Sequence, residues 1–384
     1  RRVERQVDVL TLFYQYTFVD AVSAGMPTEG LASGRNRNFF LDTTIPLEER
    51  WKLAWPWLQQ IHFGTYYRPS AIALRDLFDI EGLGDSNYQE VSARLQAANT
   101  KGLYHRILRD KCNLRTALVQ NGQVEGQDPP DLLTPLFRHD ASVDFSSLTF
   151  LRSLEEEVGK ELASLDEYLE AYEGCLRRAR AAGAVGFKLR ALCLPPADTG
   201  EARAAYLDVK TGKPATPVLA ATVRDWVLRK ASEWDWPVAI HTGVWGDFRP
   251  LHPEHVIGLA QHYPALRMDV YHLGMPYARE AIFLAKSLAN VHLNLGWCYS
   301  VSQEITRRSI TELLDIVPVN KVFGFGGDYT WAVENVYGHL VMARETIAEA
   351  LAERIASGKL DLDGAKFISE AWLHDNPAKF YGLE

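Results

Sequence analysis

Residues 238–243 read Val-Ala-Ile-His-Thr-Gly, and residues 268–274 read Met-Asp-Val-Tyr-His-Leu-Gly. Each is a short apolar run that arrives at a histidine, the pattern of a buried strand meeting its loop. Between them His255–His262 carries helical periodicity. The two histidines are 31 positions apart, the length of one strand-helix repeat, so this stretch reads as β-α-β with parallel strands.

Working outward, the same alternation fills the chain from about residue 113. Strands are expected at Leu114–Val119, Leu133–Phe137, Val185–Leu189, Val238–His241, Met268–His272, His292–Leu295 and Lys321–Phe325. Helices are expected at Leu165–Ala182, Thr222–Glu233, His255–His262, Ala278–Leu288 and Thr306–Ile316. A (β/α)8 TIM barrel needs eight strands and seven are legible, so the first is expected upstream of Arg1; the alternative is an open doubly wound sheet. Residues 1–110 show aromatic-rich helical periodicity (Phe13, Tyr14, Tyr16, Phe18, Trp51, Trp55, Trp57) and read as a helical cap inserted after that first strand. Residues 111–384 read as the barrel with its C-terminal helices.

Composition removes several function classes. The chain of 384 residues is 47% hydrophobic and carries 41 basic against 49 acidic residues, a net charge of -8, which repels nucleic acid and anionic lipid. No apolar run approaches the ~20 residues that span a bilayer. Cys112, Cys175, Cys193 and Cys298 are widely spaced, with no Cys-x-x-Cys, so a reducing cytoplasm is expected and a disulfide framework is not. Gly324-Phe325-Gly326-Gly327 lacks the spacing of a dinucleotide loop. The expected partner is a small-molecule substrate, and the aromatic N-terminal region would suit a homo-oligomer interface.

Chemistry on a barrel gathers where strands finish. His241, His272 and Asp328 each stand at such an end, and Lys188 ends Val185-Gly186-Phe187-Lys188. Two imidazoles and a carboxylate are ligands suited to a divalent ion, zinc above all, with an open position for water. A structural, hydrogen-bonded histidine and a lysine ion pair are the plainer readings of single members. Trp245, Asp247 and Arg249 follow His241 in a loop able to wall a pocket, with Arg249 a candidate anion clamp, and Arg190 shares the side of Lys188 on a continuing strand.

Taken together, Gly186-Phe187-Lys188, His241-Thr242-Gly243, Tyr271-His272-Leu273-Gly274, Gly327-Asp328 and Asn376-Pro377-Ala378-Lys379-Phe380-Tyr381-Gly382 resemble the amidohydrolase superfamily in its "amidohydrolase 2" branch. That resemblance implies a barrel holding one or two divalent ions. His241, His272 and Asp328 would be ligands, Asp328 would also be the proton-transfer base, and Lys188 would carry a bridging carbamate. The aromatic N-terminal helices, with Leu-Phe-Arg-His-Asp at residues 136–140, resemble uronate isomerases, which implies that Arg138 and Asp140 face the substrate. Superfamily members supply two further ligands from a His-x-His on the first strand. No His-x-His occurs here and the first histidine is His62, so those ligands are expected upstream of Arg1; without them the metal would be absent.

The function expected from this reading is metal-dependent hydrolysis of an amide, ester or lactone in a small anionic substrate, with Asp328, Arg138 and Arg190 as the working side chains. Sugar-acid aldose–ketose isomerisation, decarboxylation on the same fold, and a metal-free binding protein are the alternatives.

Overall fold

A computed structural model describes residues 4–28, 38–121, 129–138, 140–191, 193–244 and 246–383. They divide into two compact units, one of residues 1–115, 296–311 and 325–365, the other of residues 116–295, 312–324 and 366–384.

The second unit is built on seven parallel strands in sequence order: β1 Ala117–Asn121, β2 Leu133–Arg138, β3 Phe187–Arg190, β4 Val238–His241, β5 Met268–Tyr271, β6 Val291–Asn294 and β7 Val322–Phe323. Helices Leu165–Ala181, Pro217–Glu233, His255–His262 and Ala278–Ser287 lie between successive strands. The pairing register makes rows across the sheet. Arg138 pairs with Lys188, Lys188 with Ala239, Ala239 with Asp269 and Asp269 with His292. Two residues on, Arg190 pairs with His241, His241 with Tyr271, Tyr271 with Asn294 and Asn294 with Phe323. Because side chains alternate along a strand, both rows share one face. The other face carries Phe187, Leu189, Val238, Ile240, Met268, Val270, Leu293 and Val322, all buried.

Burial on both faces explains why these strands read as nearly continuous apolar runs. Several element ends differ from expectation. β1 begins at Ala117 rather than Leu114, and β7 ends at Phe323. The Gly324 amide bonds to the Trp372 carbonyl at 2.7 Å, so the chain leaves the ladder there, and Asp328 stands on a loop instead of a strand end. The helix expected from Thr222 begins five residues earlier, where the Thr216 hydroxyl accepts from the Leu219 amide and Pro217 opens the first turn.

The first unit is helical among the described residues, with helices Tyr16–Ser23, Leu47–Ile61, Arg68–Phe78, Tyr88–Ala98 and Val333–Ala356. Trp51 stacks between Trp55 and Tyr88, with ring centroids 4.8 and 4.7 Å away. Each nitrogen of the buried Arg50 guanidinium donates one bond: to Asp8 at 2.6 Å and to the Ile45 and Phe40 carbonyls at 2.9 Å each. A buried charge paired and hydrogen-bonded in this way costs far less than one left bare.

One glycine fixes how the strand ends of β4 and β5 approach. Gly243 has φ +64°, and a Cβ placed there would lie 1.9 Å from the Met275 carbonyl oxygen. The next amide, Val244, bonds that same oxygen at 2.7 Å, and the Thr242 hydroxyl donates to the Tyr271 carbonyl at 2.7 Å. Gly243→Ala is therefore expected to lose about 2–4 kcal/mol in urea denaturation. Gly258→Ala, in the open middle of a helix with nothing within 4 Å, should hold or gain stability. Equal effects of the two would contradict this account of Gly243.

Candidate active site

The chemistry of the second unit lies on the face shared by the two rows. His241 is the last residue of β4, and His272 follows β5 directly with φ +65°. Their rings meet: Nε2 of His272 lies 3.0 Å from Nδ1 of His241, with ring centroids 4.6 Å apart. The other nitrogen of His241, Nε2, faces the Val244 carbonyl at 3.3 Å and can donate to it, which leaves Nδ1 as the lone-pair nitrogen. Burial first, then the His272 ring, the Lys188 ammonium and Arg138, hold the His241 pKa well below the imidazole range. His241 is therefore neutral at physiological pH, the form that serves as a ligand or base.

Two cations, Lys188 and Arg138, act on His241. Lys188 on β3 is buried, with its ammonium 4.1 Å from the centre of the Tyr271 ring. Arg138 at the end of β2 donates from Nε to Asp140 at 2.8 Å, and its side chain is 55% exposed. Arg190 at the end of β3 bridges Asp140, at 3.3 Å, and Asp144. The sequence-based roles of Arg138 and Asp140 toward substrate thus meet an ion pair whose outer guanidinium edge reaches solvent, whereas Arg190 is committed to two carboxylates.

One residue of this face went unread in the sequence. Asp269 on β5 is fully buried; Asn294 Nδ2 and the Tyr381 hydroxyl both donate to its Oδ2, at 3.0 and 2.6 Å. Desolvation pushes its pKa up to about 7 against the opposing pull of those bonds and of Lys188. The available signal was a lone carboxylate inside Met-Asp-Val-Tyr, two positions before the aromatic ring that covers Lys188. Tyr271, Phe323, Leu136 and Ala239 pack with Phe380 and Tyr381, so the C-terminal segment closes this face with apolar bulk and one hydroxyl.

Arg249 forks onto Asp247 with both nitrogens at 2.8 Å and is 82% exposed. Trp245 lies outside the described residues. Asp328 belongs to the helical unit. Its φ is +55°, and its carbonyl accepts from Gln15 Nε2 at 2.7 Å and from the Tyr16 hydroxyl.

A divalent ion shared by the histidine pair would set their spacing. Two nitrogens bound at about 2.0–2.1 Å to one ion, at angles between square and tetrahedral, stand about 2.9–3.4 Å apart. The observed 3.0 Å fits, as do the neutral His241 and its second nitrogen anchored on a backbone carbonyl. Among the described residues no group of three or more His, Cys, Asp or Glu side chains stands together as a metal cage, so the pair would supply two positions of such a site.

Seven parallel strands in sequence order with helices between them define an α/β barrel of the TIM type. The chain belongs to the amidohydrolase family, whose profile matches residues 163–383, more than half its length. Among solved structures it superposes on uronate isomerase of Thermotoga maritima with a TM-score of 0.78 at 14% identity, covering 99% of this chain and 91% of that one. Glucuronate isomerase of Caulobacter crescentus gives 0.70 at 18% identity, with 96% and 85% covered. A provisionally assigned metal-dependent hydrolase of Lactobacillus casei gives 0.64 at 18%, with 85% and 86% covered. These likenesses establish the barrel fold. "Protein fluG" of Emericella nidulans is 25% identical over 175 residues, which is 42% of this chain and 20% of that protein's length.

Asp269 sets a measurable pH dependence. Its folded pKa of about 7 lies above the unfolded carboxyl value of about 4, so the folded state holds the extra proton between them. The stabilisation from this proton is complete below pH 4 and is lost as pH rises through 7. Asp269→Asn should remove that fall. Unfolding free energies of the variant and wild type, compared by urea titration, should diverge by on the order of 3 kcal/mol between pH 4 and pH 8 in favour of Asn. Parallel curves would show that Asp269 does not titrate there.

Proposed function

We propose that this protein is a metal-dependent hydrolase that attacks the carbonyl of an amide, ester or lactone in a small anionic substrate. The observation that carries the reading is the meeting of His241 and His272 at 3.0 Å with Arg138 and Lys188 close enough to depress the His241 pKa. His241 Nδ1 and His272 Nε2 would hold the ion, zinc above all. A divalent ion in such a place polarises a carbonyl and acidifies water.

The chain's own groups do the rest. The outer edge of Arg138, whose Nε is already fixed by Asp140, offers paired N–H groups to a carboxylate. Lys188 adds positive charge, held beside the Tyr271 ring, where a charge acts more strongly than it would in water. The family resemblance gives Asp328 the task of accepting and returning the proton. It also makes Lys188 a candidate for carbamylation, which would exchange that positive charge for a metal-binding carboxylate and would show as a carbamate signal in 13C NMR of the protein in 13C-bicarbonate.

A second reading, isomerisation of a sugar acid, draws on the Arg138–Asp140 pair at the end of β2. It needs the same carboxylate grip and the same proton-moving base. Screening lactones, N-acyl amino acids and uronates in 18O-labelled water separates the two. Hydrolysis places labelled oxygen in the product acid, whereas isomerisation yields a ketose without it.

Two outcomes are expected of variants. His241→Ala and His272→Ala should each weaken zinc binding at least tenfold in a chelator competition, and undiminished binding would remove the pair from the metal site. Arg138→Ala should raise KM for the anionic substrate about 10–100-fold while changing kcat less; a fall in kcat alone would contradict a grip made by Arg138.

A further inference from the structure

The loop that carries Asp328 is held in the helical unit by three consecutive side chains from the N-terminal region. Gln15 Nε2 donates to the Asp328 carbonyl at 2.7 Å, and Gln15 Oε1 accepts the Thr330 amide at 3.1 Å. The Tyr14 hydroxyl donates to that same Oε1 at 2.9 Å and accepts the Trp331 amide at 3.0 Å. The Tyr16 hydroxyl donates to the Asp328 carbonyl as well. All three side chains are buried, at 4%, 7% and 4% exposure for Tyr14, Gln15 and Tyr16. Gln15 reads two backbone groups of the loop at once, and the Tyr14 hydroxyl fixes which end of its amide points where.

Two features show that this arrangement is specific. Consecutive side chains converge on one target only where the backbone is irregular, and Gln15, with φ -89° and ψ -81°, sits at such a point, immediately before the helix Tyr16–Ser23. Gln15 occupies the N-cap position of that helix yet makes no capping bond, so its amide serves the loop in place of the helix. At the far end, Asp328 adopts φ +55°, a left-handed conformation that L-residues other than glycine rarely take without support. With the carbonyl held by two donors and φ fixed, the direction of the Asp328 Cα–Cβ bond is fixed too. On the opposite side the fully buried His339 ring meets the edges of Tyr329 and Phe325, bracing the loop from the helix Val333–Ala356.

We propose that Tyr14, Gln15 and Tyr16 form a clamp that positions Asp328, so that the N-terminal region is a working part of the catalytic apparatus. The functional side of this inference rests on the reading of Asp328 as ligand and base. These three are positioning residues, acting through the loop backbone.

The test uses the full chain and zinc ion as the probe. Gln15→Met, Tyr16→Phe, Asp328→Asn and Thr17→Val are compared with wild type by chelator competition for zinc and by amide hydrogen exchange. Thr17 is a neighbour whose buried hydroxyl binds the Tyr66 carbonyl at 3.0 Å, away from the loop, so it controls for general loosening. The clamp is supported if Gln15→Met speeds exchange of the Thr330 amide at least tenfold and weakens zinc binding about 10–100-fold, as loss of an orienting group does. Tyr16→Phe should weaken zinc in the same direction, and Thr17→Val should do neither. If Asp328→Asn weakens zinc while Gln15→Met and Tyr16→Phe bind as wild type, the clamp is overturned and the Asp328 reading stands. If Asp328→Asn binds zinc as wild type, the Asp328 reading fails, and the clamp as a device that positions a catalytic group fails with it. Unchanged Thr330 exchange in Gln15→Met overturns the clamp under every zinc result.

Discussion

The approach of two imidazoles at 3.0 Å is the constraint around which the barrel unit is organised. It needs β4 and β5 to be neighbours, parallel, and level in register, and it needs both loops to leave the sheet without room for a side chain between them. Gly243 supplies the second condition, with its φ of +64° and the Met275 carbonyl pressed against it. The apolar face of the sheet supplies the first. Were either to fail, two ring nitrogens would be buried without a shared partner, at a cost of a few kcal/mol each.

The electrostatics follow from that geometry. A neutral His241 beside Lys188 and Arg138 makes one region of an acidic protein locally positive. Asp269, buried one row below, is the counterweight, and its raised pKa means that its charge is only partly present near neutrality. Tyr381 and Asn294 hold it by hydrogen bonds, so the C-terminal segment contributes chemistry to the site as well as apolar cover. Arg190, by contrast, is tied to Asp140 and Asp144 and ties the end of β3 to them.

Much of this was legible in the sequence because parallel strands buried on both faces leave a plain apolar signature. The segments 238–241 and 255–262 were bounded correctly, and the histidines ending two adjacent strands indicated which side chains meet. What the sequence could not disclose is contact made at long range. Asp269 looked like an isolated polar residue in a strand until Tyr381, 112 positions away, was seen to bond it. The Gly-Gly-Asp segment read as a strand end, but the Gly324 amide turns to Trp372, and Asp328 falls on a loop whose conformation depends on residues more than 310 positions earlier. Aromatic periodicity marked the N-terminal helices and gave no hint that Gln15 forgoes its helix cap for that loop.

The shared-ion reading of the histidine pair makes a demand on the rings themselves. In protein labelled with 15N-histidine, titration with zinc should move the Nδ1 resonance of His241 and the Nε2 resonance of His272 together, at one equivalent, leaving the resonance of His241 Nε2 that of a protonated nitrogen. If only one ring responds, or if both keep their metal-free shifts while zinc binds elsewhere, the two imidazoles are joined by nothing more than a hydrogen bond and the account is wrong.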